Sequence, residues 1–177
     1  MSDFRIVLRP ALAYKHSVTS NRITLEALPE GHVIHVLGLP GDDDLADLLQ
    51  SLSNGGPHAV RSISPGQWFI VGNEAKSHAE QAELFATLQP RAIGVDQSQG
   101  RVRILAKGPM VERVLSKGTA VDLALAEFPV GRSTTTLIGH IAAHITRVGN
   151  DAFEIMVLRG FAESLWDDLA RMCAEYV

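Results

Sequence analysis

Seven histidines and a few close-set carboxylates are the groups in this 177-residue chain able to bind a metal or move a proton. His140 and His144 stand four apart, a spacing that would place a metal pair on one face of a helix. Their neighbours alternate instead. Ile141, Ala143 and Ile145 interleave with His140, Ala142, His144 and Thr146, which is the period of a strand. On a strand the two rings point the same way but stand ~13 Å apart, too far for one ion to bridge. The pair therefore reads as the polar face of a half-exposed strand. His32 and His35 point to opposite faces of their own strand, and His16, His58 and His78 lie near loops, an arm or a helix start without evident partners.

Nucleophilic chemistry has no recognisable seat. No G-x-S-x-G elbow occurs, and neither does a G-x-x-x-x-G-K-[ST] phosphate loop or a G-x-G-x-x-G fingerprint. Gly38 to Gly41 precedes a helix as an anion-binding turn does, but Pro40 lacks a donor and Asp42 to Asp44 would repel a phosphate. That acidic run reads as helix capping. A divalent cation would need further oxygen ligands at spaced positions. Asp167 and Asp168 fall on the outer face of an amphipathic helix. Cys173, the only cysteine, precludes an internal disulfide and reads as a small apolar filler. The residues thus offer no catalytic, no cofactor-binding and no metal-ligating set.

The elements that would position such groups are short. Residues 1–20 show no period and contain Pro10, so they read as a loose or partner-ordered arm, with Phe4 to Tyr14 as the expected docking segment. Strands are expected at Ile23–Leu28 and His32–Leu39, either side of Pro29-Glu30-Gly31, and a Leu-striped helix at Asp42–Leu52. Strands Ala59–Ile63 and Gln67–Gly72 flank Ser64-Pro65-Gly66, and a helix runs over Ser77–Leu88. Ala92–Asp96 and Arg101–Ala106 look like a hairpin about Gln97 to Gly100. Gly108-Pro109 opens a short helix. Strands follow at Thr134–Ile138, His140–Val148 and Ala152–Leu158, and the final helix spans Phe161–Tyr176. Both halves run strand, helix, hairpin, helix. The expected fold is α+β: an arm at 1–20 and one domain at 21–177 made of two pseudo-repeats, about 21–91 and 92–177. Helices should cover a mostly antiparallel sheet.

Composition narrows the function. Apolar residues make up 46% and charged residues 20%, which suits a packed core. A net charge of −4 without a Lys/Arg cluster argues against a nucleic-acid partner. Charges break the N-terminal apolar run too early for a secretory signal, and nowhere do ~18 apolar residues run together, so the expected site of action is the cytoplasm, with no membrane.

A family resemblance lies in the second half. Arg101 to Gly118, Asp122-Leu123 followed by Phe128-Pro-Val-Gly131, and Phe153 to Leu169 together resemble the gamma subunit of heterotetrameric sarcosine oxidase. The likeness covers residues 60 to 172, and the first third more loosely through Leu8-Arg-Pro10. That subunit is in turn similar to the folate-binding domain of the glycine-cleavage aminomethyltransferases. Their pattern has an Arg, a Gly-Tyr-Thr-Gly-Glu loop, then Gly-Phe-Glu. Arg147 to Glu154 keeps the ends and lacks the loop. The resemblance implies a non-catalytic structural chain partnered by alpha, beta and delta subunits. It implies that FAD, FMN, NAD and tetrahydrofolate belong to those partners, and that the complex demethylates sarcosine to glycine with hydrogen peroxide and 5,10-methylenetetrahydrofolate as products. The alternative it leaves is a folate-binding aminomethyltransferase-like protein acting on one-carbon units.

Overall fold

The computed structural model describes all residues except 1–8, Pro40, Asp43, Asn54 and Gly55. Among the described residues, ten strands and four α-helices form two antiparallel sheets. The six-stranded sheet takes β1 (Val18–Thr19), β2 (Thr24–Ala27), β7 (Arg101–Lys107), β8 (Ser133–Ile138), β9 (Ile141–Gly149) and β10 (Ala152–Leu158), in the spatial order β1-β2-β7-β10-β9-β8. The four-stranded sheet orders β4 (Val60–Ser64), β5 (Gln67–Gly72), β3 (His32–Gly38) and β6 (Ala92–Asp96).

Alternation along the strands builds four layers. On one face of the six-stranded sheet, Leu25, Ile104, Ile145, Phe153 and Ile155 pack under α3 (Val111–Leu115) and α4 (Ala162–Cys173), chiefly Leu115, Leu165 and Leu169. On the outer face of the smaller sheet, Ile34, Val36 and Ile70 pack under α1 (Leu45–Leu52) and α2 (His78–Leu88) through Leu45, Leu49 and Leu88. The inner faces meet through Val33, Phe69, Val71 and Met156. Helix, sheet, sheet, helix is the result: the expected α+β fold of antiparallel strands covered by helices, with the strands divided between two sheets.

Two expectations are corrected at this level. Ala92–Asp96 and Arg101–Ala106 are not a hairpin: β6 pairs with β3 and β7 with β2 and β10, while a 3-10 turn at Ser98–Gly100 carries the chain between sheets. Both strands are apolar on alternate positions, and that pattern does not say which partner each one takes. Likewise Thr24–Ala27 lies in the larger sheet and its successor His32–Gly38 in the smaller one, so Pro29-Glu30-Gly31 is a crossing between layers. It is a tight crossing, since a Cβ on Gly31 would stand 2.0 Å from the Gly72 carbonyl oxygen.

The acidic run before α1 does not cap as expected. Asp44 sits at the N-cap without a side-chain bond, and Asp42 instead pairs with Arg91, whose hydrogen bond holds its carboxyl below the ordinary range; Asp43 lies outside the described residues. The cap appears at α2, where the Ser77 hydroxyl accepts from Glu80 N–H and Glu80 Oε2 accepts from Ser77 N–H at 2.7 Å. Residues 9–20 pack on their own chain. Leu12 is buried in the main core, Ala11 N–H donates to Glu30 Oε1 at 2.7 Å, and β1 pairs with β2. Of the expected docking segment, Phe4 to Leu8 lies outside the described residues, and Tyr14 is exposed.

Candidate functional site: a cleft between the sheets

The inner faces of the two sheets are not uniformly apolar. Arg61 on β4, Arg103 on β7 and Glu154 on β10 are 3%, 5% and 5% exposed. Arg61 Nη1 donates to Glu154 Oε1 at 2.6 Å, and Arg103 Nη1 stands 3.5 Å from the same oxygen. Three acceptors complete Arg103: the carbonyls of Pro29 (3.1 Å) and Gly72 (3.0 Å) and Asn73 Oδ1 (2.7 Å). Arg61 Nε donates to the His58 carbonyl at 3.0 Å. Burial of two guanidiniums is thus offset by one carboxylate and four oxygen dipoles.

This triad forms the floor of a cleft of about 660 Å³ lined from both sheets. Leu28, Leu105, Val71 and Val148 supply apolar wall. His32, His58 and Lys76 supply polar rim. His32 lies against the backbone of Gly72, where a Cβ would stand 2.3 Å from its ring, and its Nδ1 lies 2.7 Å from the Glu74 carbonyl oxygen. Burial, then the positive charges of Lys76 and Arg103, push the His32 pKa down, with the Glu74 bond and Asp96 opposing.

The other histidines scatter. His140 is exposed in the turn after β8, while His144 is buried under the second sheet. The expectation that His144 lies on a half-exposed face is therefore corrected: β9 is covered on both sides. Phe69 meets the His144 ring edge-on at 5.4 Å, and Thr135 Oγ1 lies 3.1 Å from its Nδ1. Desolvation first, then Arg61 and Arg101, lower its pKa to about 4. His35 lies 5.2 Å from Phe69 and bonds Gln67 and Gln97. His16 and His78 are exposed.

The ends of the Arg147 to Glu154 pattern point to opposite faces of the sheet. Arg147 enters the helix-covered core, with its guanidinium 4.6 Å from the Phe153 ring, a pairing with Glu112 and a 3.1 Å bond to the Leu123 carbonyl. Glu154 faces the cleft. A pterin ring presents amino and ring N–H donors, so its natural counterpart is a free carboxylate. Both arginines hold the same oxygen of Glu154, Oε1, and Oε2 takes no bond from any described residue. Neither Arg61 nor Arg103 is marked out in the sequence, because an arginine alternating with apolar residues, as in Val102-Arg103-Ile104, has the pattern of a solvent-facing strand position.

The GCVT N-terminal domain model matches residues 59–176. The chain belongs to that family. It is 29% identical over 116 residues to an aminomethyltransferase of Herpetosiphon aurantiacus, covering 63% of this chain and 32% of that protein. The chain thus spans about a third of that relative. With the sarcosine oxidase subunit gamma of Corynebacterium sp. (strain P-1) it shares 25% identity over 167 residues, 86% of this chain and 81% of the relative. Two solved structures share the fold. A chain of the heterotetrameric sarcosine oxidase from Corynebacterium sp. U-96 in complex with pyrrole 2-carboxylate superposes with a TM-score of 0.81 at 23% identity, over 96% of each chain. Glycine cleavage system aminomethyltransferase T from Bartonella henselae gives 0.59 at 19%, over 82% of this chain and 44% of that one. No described helix is long and apolar enough to cross a membrane.

Proposed function

We propose that this GCVT-family chain is a non-catalytic, structural gamma-type subunit of a heterotetrameric sarcosine oxidase. The observation that carries this reading is end-to-end correspondence: 86% of the chain aligns with 81% of a gamma subunit, whereas the aminomethyltransferase likeness spans only a third of its relative. On this reading the alpha, beta and delta subunits hold FAD, FMN, NAD and tetrahydrofolate, and the complex works in the cytoplasm. There it oxidises sarcosine to glycine, yielding hydrogen peroxide and 5,10-methylenetetrahydrofolate.

Co-expression with the other three subunits, followed by size exclusion, tests this. Co-elution of four chains with sarcosine-dependent peroxide formation is expected. A free monomer beside an assembled, active remainder overturns the reading. The second reading, a folate-binding aminomethyltransferase-like protein, draws on the family itself. Saturable heat on titrating the isolated chain with tetrahydrofolate would favour it.

A further inference from the structure

We propose that the cleft between the sheets binds a small organic anion, one with an apolar body and a single carboxylate. The inference is independent of the assembly reading and stands on the cleft alone.

The floor sets the sign. Two buried guanidiniums share one carboxylate, so the deepest charged groups leave one positive charge in excess beside an open volume of about 660 Å³. Charges in a poorly hydrated interior act over longer range than exposed ones, so the floor outweighs the rim. The rim carboxylates are also less available. Glu80 is committed to the N–H and hydroxyl of Ser77, and both Glu80 and Glu74 are exposed to water. Lys76 is half-buried at the rim with no carboxylate partner among the described residues.

The walls set the body. Leu28, Leu105, Val71 and Val148 offer an apolar surface above the charged floor. The volume lies within the roughly 300–1,000 Å³ typical of small-molecule pockets. A bare phosphate would leave those walls wet, and a neutral body would leave the excess charge unanswered. An aryl or branched aliphatic carboxylate satisfies both.

Benzoate is the probe, with benzyl alcohol as its neutral counterpart and inorganic phosphate as the anion without a body. Full-length protein is titrated calorimetrically at ligand concentrations to ~10 mM, about ten times a millimolar Kd. Benzoate is expected to bind saturably, and more tightly than either control. Lys76→Met, at the half-buried rim, should weaken it about tenfold, the loss of one charge-assisted contact. Melting temperature is measured on the same samples, so that the binding loss is read on folded protein. Arg61→Met should weaken binding further where it folds, and the Lys76→Met result decides where it does not. No benzoate binding, equal binding of benzyl alcohol or phosphate, or unchanged binding by Lys76→Met would each overturn the proposal.

Discussion

Arg61 and Glu154 meet at 2.6 Å although they lie on different sheets and 93 residues apart in the chain. Arg103, from a third strand, reaches the same oxygen. One carboxylate therefore joins the four-stranded sheet to the six-stranded one. The three side chains are not equivalent, because removing Glu154 leaves two positive charges whereas removing either arginine leaves a balanced pair.

Glu154→Gln strands two buried guanidiniums without a counter-charge, whereas Arg61→Met leaves a balanced Arg103–Glu154 pair. The first should cost about 3–5 kcal/mol and the second distinctly less, about 1–3 kcal/mol. Urea unfolding of both variants decides the order. Equal costs, or a reversed order, would show that the sheets are joined by packing rather than by this charge.

His144 predicts a pH dependence. Its pKa is about 4 in the fold and near 6.5 when unfolded, the desolvated ring resisting protonation beside Arg61 and Arg101. As pH falls below 6.5 the unfolded chain takes up this proton first, so stability drops until about pH 4 and no further on this account. The span of about 2.5 pH units bounds the loss at on the order of 3 kcal/mol. His32, also shifted down, acts in the same direction. His144→Gln should flatten the fall measured by urea unfolding at pH 7 and pH 4.5. An unchanged fall would mean that His144 is not the group responsible.

Leu12 makes the N-terminal segment part of the fold. It is buried in the main cluster with Leu25 and Ile104, so Leu12→Ala should cost about 2–4 kcal/mol. Lys15 pairs with a well-exposed Asp167, and Lys15→Ala should change stability by under about 1 kcal/mol. Thermal melts of the two variants separate a packed segment from a merely tethered one. Equal, small effects would return residues 9–20 to the status of a loose arm.

Strand and helix positions were legible because each depends on local alternation or a local stripe: Leu45 and Leu49 on α1, and Phe153, Ile155 and Val157 on β10, are buried as their spacing implies. Sheet membership was not. β6 and β7 are separated by four residues of turn sequence that would suit a hairpin equally well, and only the tertiary partners β3 and β10 decide between sheets. The cleft was hidden for a related reason. An inward arginine such as Arg103 and an outward one look alike in alternation, and the second sheet that turns His144 and Glu154 from exposed to buried leaves no mark on β9 or β10 themselves.

Arg147 carries the last prediction. It is fully buried, yet its Nε and Nη1 have no partner among the described residues, and its counter-charge is the half-exposed Glu112 on α3. Its backbone anchors the preceding loop, with Gly131 N–H donating to the Arg147 carbonyl at 2.8 Å and Arg147 N–H to the Arg132 carbonyl at 3.0 Å. Arg147→Met keeps the stem against Phe153, removes a charge that is only partly satisfied, and leaves both backbone bonds in place. Its global cost should stay within about 2 kcal/mol, while amide exchange near Leu123 quickens because that carbonyl loses its donor. Glu112→Ala keeps the buried charge and removes its partner, so it should cost more, about 3 kcal/mol. Chemical denaturation orders the two variants and hydrogen exchange locates the loosening; if Arg147→Met proves the costlier change, the guanidinium is a net stabilising group and its unpartnered N–H groups find acceptors in solution.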